Sequence, residues 1–228
     1  QSFVSSRHTM SLRYVDGSAP GPTHDGSSWN NAWLTLGAIT GLSAGDTVYI
    51  SGGSSGNTQT YTFTDSFTAL SGYANGTSGN KITYQIGQDS AHNGTAIFKQ
   101  TSQGFSHGVI FYQGMHDVTF SGDAGDGLKH FSVDVSGTAD TLFSLINTNN
   151  NVRFCYWELN TFGRLGTADN SGGVLNGLEV DNIHIKIVEN TAVDSVMYAT
   201  VTGSTYDQNL IHHCFWEMPY NPNNSNFG

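Results

Sequence analysis

Two short segments far apart in the chain share one pattern. Cys155-Tyr156-Trp157-Glu158-Leu159 is echoed 59 residues on by Cys214-Phe215-Trp216-Glu217-Met218. Between them, Ile183-His184-Ile185-Lys186-Ile187-Val188-Glu189 has the same texture. Aligning Glu158, Glu189 and Glu217 gives steps of 31 and 28 residues. Repeats of roughly 20 to 50 residues mark solenoids, propellers or arrays. A propeller blade needs about 40 residues and four strands. Steps near 30, each holding two or three short strands, match one coil of a parallel β-helix better.

Stacking the aligned rows as rungs predicts which side chains share a face, because side chains alternate along a strand. One parity collects Val152, Ile183 and Ile211, then Phe154, Ile185 and His213, then Tyr156, Ile187 and Phe215. This nearly all-apolar set is expected in the core. The other parity collects Arg153, His184 and His212, then Cys155, Lys186 and Cys214, then Trp157, Val188 and Trp216. This set is expected outside. Cys155 and Cys214 would then lie two rungs apart, roughly 9 to 10 Å at about 4.8 Å per strand. A disulfide needs Cα atoms within about 7 Å, so both are expected to be free thiols.

The rest of the chain reads the same way. Short β-type runs such as Thr47–Ile50, Ile82–Ile86, Val118–Phe120 and Phe131–Val135 alternate with Gly, Asn, Asp and Ser turns, a strand signal at short, regular spacing. Glycine is frequent, 28 of 228 residues, as a chain that turns several times per coil requires. One amphipathic helix is expected over 27–41, with Trp29, Ala32, Trp33, Leu36 and Ile39 on one face. Only 11% of residues are charged, against about 25% in ordinary soluble domains. This excludes helical bundles and coiled coils. Eight Lys and Arg in a chain of net charge -10 argue against a nucleic-acid partner. No apolar run approaches the ~18 residues of a membrane span. Acidity with abundant Ser, Thr, Asn and Gly leans towards a secreted, extracellular protein, and Asn75 and Asn93 sit in N-glycosylation patterns.

The first third carries a resemblance. Tyr14-Val15-Asp16-Gly17-Ser18 precedes Asp25-Gly26-Ser27-Ser28-Trp29, then the expected helix, then Ala44-Gly45-Asp46-Thr47-Val48-Tyr49-Ile50 and Gly76 to Tyr84. This opening resembles secreted right-handed parallel β-helix proteins of the pectate-lyase-like superfamily, of the polysaccharide lyase and tailspike types. The resemblance implies an all-β solenoid with an N-terminal capping helix and a carbohydrate-active role on acidic polysaccharide. No motif carries that family's catalytic residues onto positions of this chain. The expected organisation is a single domain over 1–228, with a cap over 1–45 and coils over 46–228. Its far end, Asn223 to Gly228, lacks an evident cap.

Three groups of residues could carry chemistry. Glu158, Glu189 and Glu217, if stacked about 5 Å apart, would form an acid/base pair or a Ca2+ site, or would simply point into water from rung corners. Arg153, His184, Lys186 and His212 would gather cations on the outer face beside Trp157 and Trp216, suiting an anionic sugar. In that arrangement Glu158, Glu189, Glu217, Lys186 and Arg153 are the candidate catalytic residues, and Trp157, Trp216, His184 and His212 the candidate sugar-binding ones. Asp117, Asp123 and Asp126 read as an Asp/Gly turn that needs no ion. His212 and His213 are expected on opposite faces, unable to share a metal. Ca2+ is the one cofactor these patterns suggest.

Two main functions are consistent with these patterns: a lyase or hydrolase of acidic polysaccharide, or a structural extracellular fibre, tailspike or adhesin subunit that stacks end to end. A glycan-binding module using Trp157 and Trp216 alone is a third.

Overall fold

The computed structural model describes residues 10–63, 74–100, 110–134, 142–146, 149–161, 166–169, 174–187, 197–200 and 205–217. The strands run β1 (Leu12–Val15), β2 (Thr47–Ile50), β3 (Thr58–Phe63), β4 (Ile82–Ile86), β5 (Thr95–Gln100) and β6 (Ile110–Gln113). Then come β7 (His116–Ser121), β8 (Phe131–Asp134), β9 (Phe143–Ile146), β10 (Asn149–Cys155), β11 (Trp157–Thr161) and β12 (Gly166–Asp169). Next are β13 (Val174–Asn176), β14 (Glu179–Asp181), β15 (His184–Ile187), β16 (Met197–Thr200), β17 (Thr205–Asp207), β18 (Leu210–His212) and β19 (Phe215–Glu217).

They form three sheets in which every ladder pairing is parallel. The first sheet runs β1-β2-β4-β7-β10-β13-β17, with β14 pairing β10 and β18. The second runs β3-β5-β8-β11-β15-β19 and the third β6-β9-β12-β16. From β4 onwards, each passage of the chain visits the sheets in turn and returns one rung on. The protein is an all-β parallel solenoid, as the repeat predicts.

Stacking like on like fills the interior. Tyr84 lies on Phe120 with ring centroids 4.8 Å apart, Phe120 on Phe154 at 5.1 Å, and Phe154 on Phe143 at 4.6 Å, all nearly parallel. A second column runs Val133, Leu159, Ile185 and Trp216 along β8, β11, β15 and β19. Its first three members are buried, and Trp216 extends it, packed against the core. Such columns are the driving force of the fold, since each aromatic side chain buries about 150 to 250 Å².

The expected helix over 27–41 is absent. That stretch holds one short 3-10 turn, Leu36–Ala38, and otherwise irregular chain. Ser, Asn, Thr and Gly supply most of its polar positions, and these residues favour turns and caps over helix interiors. Of the expected apolar face, Ala32, Trp33, Leu36 and Ile39 are nevertheless buried, while Trp29 is partly exposed and stacks on His92. The segment lies along the outer edge of β1 and bonds to it: Trp33 N–H donates to Tyr14 O at 3.0 Å, and Asp16 N–H donates to Trp33 O at 2.9 Å. The cap therefore works as a strand mimic that satisfies an otherwise open sheet edge. At the other end of the described solenoid, Leu210, Ile211 and Phe215 are exposed.

One sharp corner, between the first and second sheets, positions the site. Tyr156, Asn182 and His213 stack there, each with a left-handed backbone of φ 52° to 60°. One rung earlier the position belongs to Gly122, where an added Cβ would lie 2.1 Å from Tyr156 O, so only glycine fits. The corner residue interrupts the alternation of faces. Val152 and Phe154 point inwards before it, and Trp157 and Leu159 point inwards after it. Carrying strict alternation through the corner is what placed Trp157 outside and Tyr156 inside; both are corrected. A second left-handed stack within the first sheet runs Asp117, Asn151, Gly177 and Gln208, and two asparagines there are structural. Asn151 Nδ2 donates to Asp117 Oδ1 at 3.1 Å, and Asn209 bridges Leu178 N–H and Leu175 O.

Candidate functional site

The outward positions on either side of the corner carry the polar chemistry. The register sets who meets whom, and it differs from the one the repeat suggests. Glu158 pairs across the ladder with His184 and His184 with Phe215; Asn160 pairs with Lys186 and Lys186 with Glu217. The rung steps here are 26 and 31 residues, so Glu158 and Glu217 do not share a row. Glu189 lies outside the described residues.

The correction brings the glutamates together through a histidine. His184 Nδ1 is 2.8 Å from Glu158 Oε1 and 2.9 Å from Oε2. Its Nε2 lies 3.5 Å from Glu217 Oε2, without hydrogen-bond geometry. One imidazole thus stands between two carboxylates of different rungs. The His184 side chain is about a fifth exposed and that of Glu217 half exposed. Lys186 is exposed in the adjacent outward row.

On the other flank of the corner, Arg153 of β10 lies in register with Glu179 of β14, and Cys155 with Asp181. Arg153 Nη2 donates to Asp181 Oδ2 at 2.8 Å, and its Nε stands 3.5 Å from Glu179 Oε2. His212 Nε2 is 3.5 Å from Glu179 Oε1. Asp181 is almost fully buried. Desolvation pulls against the charge of Arg153, but the hydrogen bond to Asp181 and the nearby carboxylates outweigh it and raise its pKa. Arg153 is therefore fixed as a permanent cation within an acidic group. Glu179 and Asp181 were not singled out from sequence. Their signal was the outward-inward-outward run Glu179-Val180-Asp181 just before the corner.

Of the aromatic candidates, Trp157 is buried between Phe98 and Phe131, with Nε1 donating to Phe120 O at 3.4 Å. It cannot be a sugar platform. Trp216 is in the core column, half-buried. His212 and His213, expected apart, meet at the corner with their Nδ1 atoms 2.7 Å apart, because His213 is the left-handed residue. Cys155 and Cys214 are free. Burial pushes the Cys155 thiol up to about 11.

Asp123 and Asp126 close their turn with backbone N–H groups of Gly125 and Leu128 at 2.7 and 2.9 Å. Asn75 uses both ends of its amide, donating to Gly114 O and accepting from His116 N–H.

No family model matches the chain, and neither a curated protein nor a solved structure matches it. The fold is that of a parallel β-solenoid, and the pectate-lyase-like assignment has no support from a match. What the site does must be argued from its own chemistry.

Proposed function

We propose that this solenoid is a secreted carbohydrate-active protein that hydrolyses polysaccharide along the outer face beside the corner. The observation that carries the reading is the Glu158–His184–Glu217 arrangement. Glycoside hydrolysis needs one carboxyl group to protonate the leaving oxygen and another to activate water or attack the sugar. Glu217, the more exposed, is suited to meet the glycosidic oxygen. Glu158 is held by His184, which fixes its orientation and can pass a proton. Lys186, exposed in the row of Glu217, supplies a cation for an acidic sugar ring.

The two carboxylates supply both groups that hydrolysis needs, so hydrolysis ranks ahead of elimination here. A lyase needs a free cation to neutralise the uronate and a base for the α-proton. Arg153 is already held by Asp181 and Glu179, leaving Lys186 as the free fixed cation among the candidate residues. Incubation with a panel of neutral and uronate polysaccharides, read for both new reducing ends and unsaturated products, tests this. Reducing ends alone are expected, with Glu217→Gln and Glu158→Gln each lowering the rate about 100-fold or more. Unsaturated products would replace hydrolysis by elimination, and no product from any polysaccharide would overturn the reading.

A second reading, a structural subunit stacked end to end, draws on the exposed Leu210, Ile211 and Phe215. It ranks lower because the edge of β1, where the next copy would add, is covered by the Trp33 segment. Light scattering separates the two: growth of mass with concentration favours stacking, and a constant monomer mass excludes it.

A further inference from the structure

We infer that Glu179, Asp181 and His212 form a binding site for a divalent transition-metal ion of the Zn2+ type, separate from the Glu158–His184–Glu217 group and independent of whether the protein cleaves sugars. One donor atom from each of the three can lie within 4.8 Å of the other two. Proximity alone would not make a site; the environment of Asp181 supplies the further observation, and that of His212 is compatible with it.

The Asp181 side chain is more than nine-tenths buried, and the two carboxylate oxygens are treated differently. Oδ2 accepts from Arg153 Nη2 at 2.8 Å and from Asn182 Nδ2 at 3.3 Å. Oδ1 is shielded from solvent and has no hydrogen-bond partner. A buried carboxyl oxygen left without a partner costs more than an ordinary hydrogen bond contributes. Native structures seldom leave such an atom empty-handed. Glu179 shows the same division. Its Oε2 faces Arg153, and its Oε1 faces His212. Arg153 thus occupies one oxygen of each carboxylate and leaves the other for a second cation. Outer partners of this kind are what orient metal ligands.

His212 Nδ1 meets Nδ1 of His213 at 2.7 Å, so one of these two nitrogens carries the proton. With His213 as the donor, His212 Nε2–H donates to Glu179 Oε1 at 3.5 Å; with His212 as the donor, its Nε2 presents a lone pair to that oxygen, which is the metal-ligating tautomer. A lone pair facing a carboxylate oxygen is repulsive unless a cation joins them. A metal-ligating histidine commonly donates its other ring N–H to a neighbour in this way.

Imidazole selects against Ca2+ and Mg2+, which take oxygen ligands, and suits Zn2+ and its first-row neighbours. Three protein donors leave a fourth position of a tetrahedral ion open to water or a ligand oxygen. Cys155 is in register with Asp181, but its buried sulfur approaches Phe120 O at 3.6 Å and stays a thiol, so it is not a ligand.

Calorimetric titration of the metal-stripped 228-residue chain with Zn2+, and separately with Ca2+, tests the site. One equivalent of Zn2+ should bind, and Ca2+ should give no heat. Asp181→Asn and His212→Ala should each weaken Zn2+ binding at least tenfold, while His184→Ala should not change it. Zn2+ retained in the first two variants but lost in His184→Ala would move the ion across the corner and overturn the assignment, as would no binding at all. Because Asp181 is buried and its variant can misfold, Co2+ bound to the unaltered chain gives a second readout. Visible ligand-field bands without a thiolate charge-transfer band are expected, and a thiolate band would assign the ion to a cysteine instead.

Discussion

The two flanks of the corner are built from the same rungs at the same spacing, yet they differ in kind. On the β10–β14–β18 side, a fixed guanidinium sits among carboxylates, one of them buried. On the β11–β15–β19 side, an imidazole sits between two carboxylates, one about a third and the other about half exposed. The first arrangement is always charged and its partners cannot easily leave, so it holds geometry. In the second, an imidazole stands between two carboxylates within reach of solvent, an arrangement suited to general acid–base work. A stacked scaffold dictates that polar residues meet across rungs; which residue occupies the middle rung decides whether the meeting is a clamp or a reactive group.

Trp157 follows the corner residue and is buried against Phe98 and Phe131, so its removal is expected to disturb the corner that separates the flanks. Trp157→Ala is expected to cost about 3 to 5 kcal/mol, as a large aromatic deleted from a packed core does. The midpoint of urea unfolding measures it; a change under about 1 kcal/mol would mean that the corner does not pack as described. Arg153→Met comes next, at about 3 kcal/mol, because it strands the Asp181 carboxylate in the interior. Adding Asp181→Leu should recover most of that loss, since it removes the stranded charge. Full additivity of the two losses would show that the residues are not coupled.

The clamp flank also has an alkaline limit. Cys155 ionises at 9.0 when unfolded and at about 11 when folded, because burial resists the thiolate. A raised folded value means stability that is complete below pH 9 and is lost as pH climbs towards 11. Cys155→Ala should flatten the fall in unfolding midpoint over that window; an unchanged fall would assign it to other groups.

The smallest effect on stability is expected on the reactive flank. His184→Gln should cost about 1 kcal/mol or less, as an interaction partly in water does, while lowering polysaccharide cleavage about 100-fold. Equal losses in stability and activity would make His184 a structural residue like Arg153.

The fold was legible because the solenoid repeats its own pattern. Phe154 and Ile185 could be placed in the core by alternation, and the burial of Trp33, Leu36 and Ile39 by apolar spacing. What alternation could not supply was the corner. Tyr156, Asn182 and His213 adopt a left-handed backbone that nothing in a tyrosine or histidine announces, and each shifts the parity of the strand after it. Trp157 moved from surface to core for that reason. Glu158 came to face His184 because coils of unequal length shifted the register between Glu158 and Glu217. The N-terminal segment misled differently: a spacing that fits a helix also fits an irregular strap that buries Ala32, Trp33, Leu36 and Ile39 while bonding to one sheet edge.

The register is the claim on which the site depends, and cross-linking reads it directly. In a Cys214→Ala background, Asn160→Cys with Lys186→Cys should form a disulfide on mild oxidation, since these two residues are ladder partners. Lys186→Cys alone should form none with Cys155, whose partner is Asp181. Peptide mapping that found Cys155 joined to position 186, with 160 and 186 unlinked, would restore the register of the sequence repeat and separate His184 from Glu158.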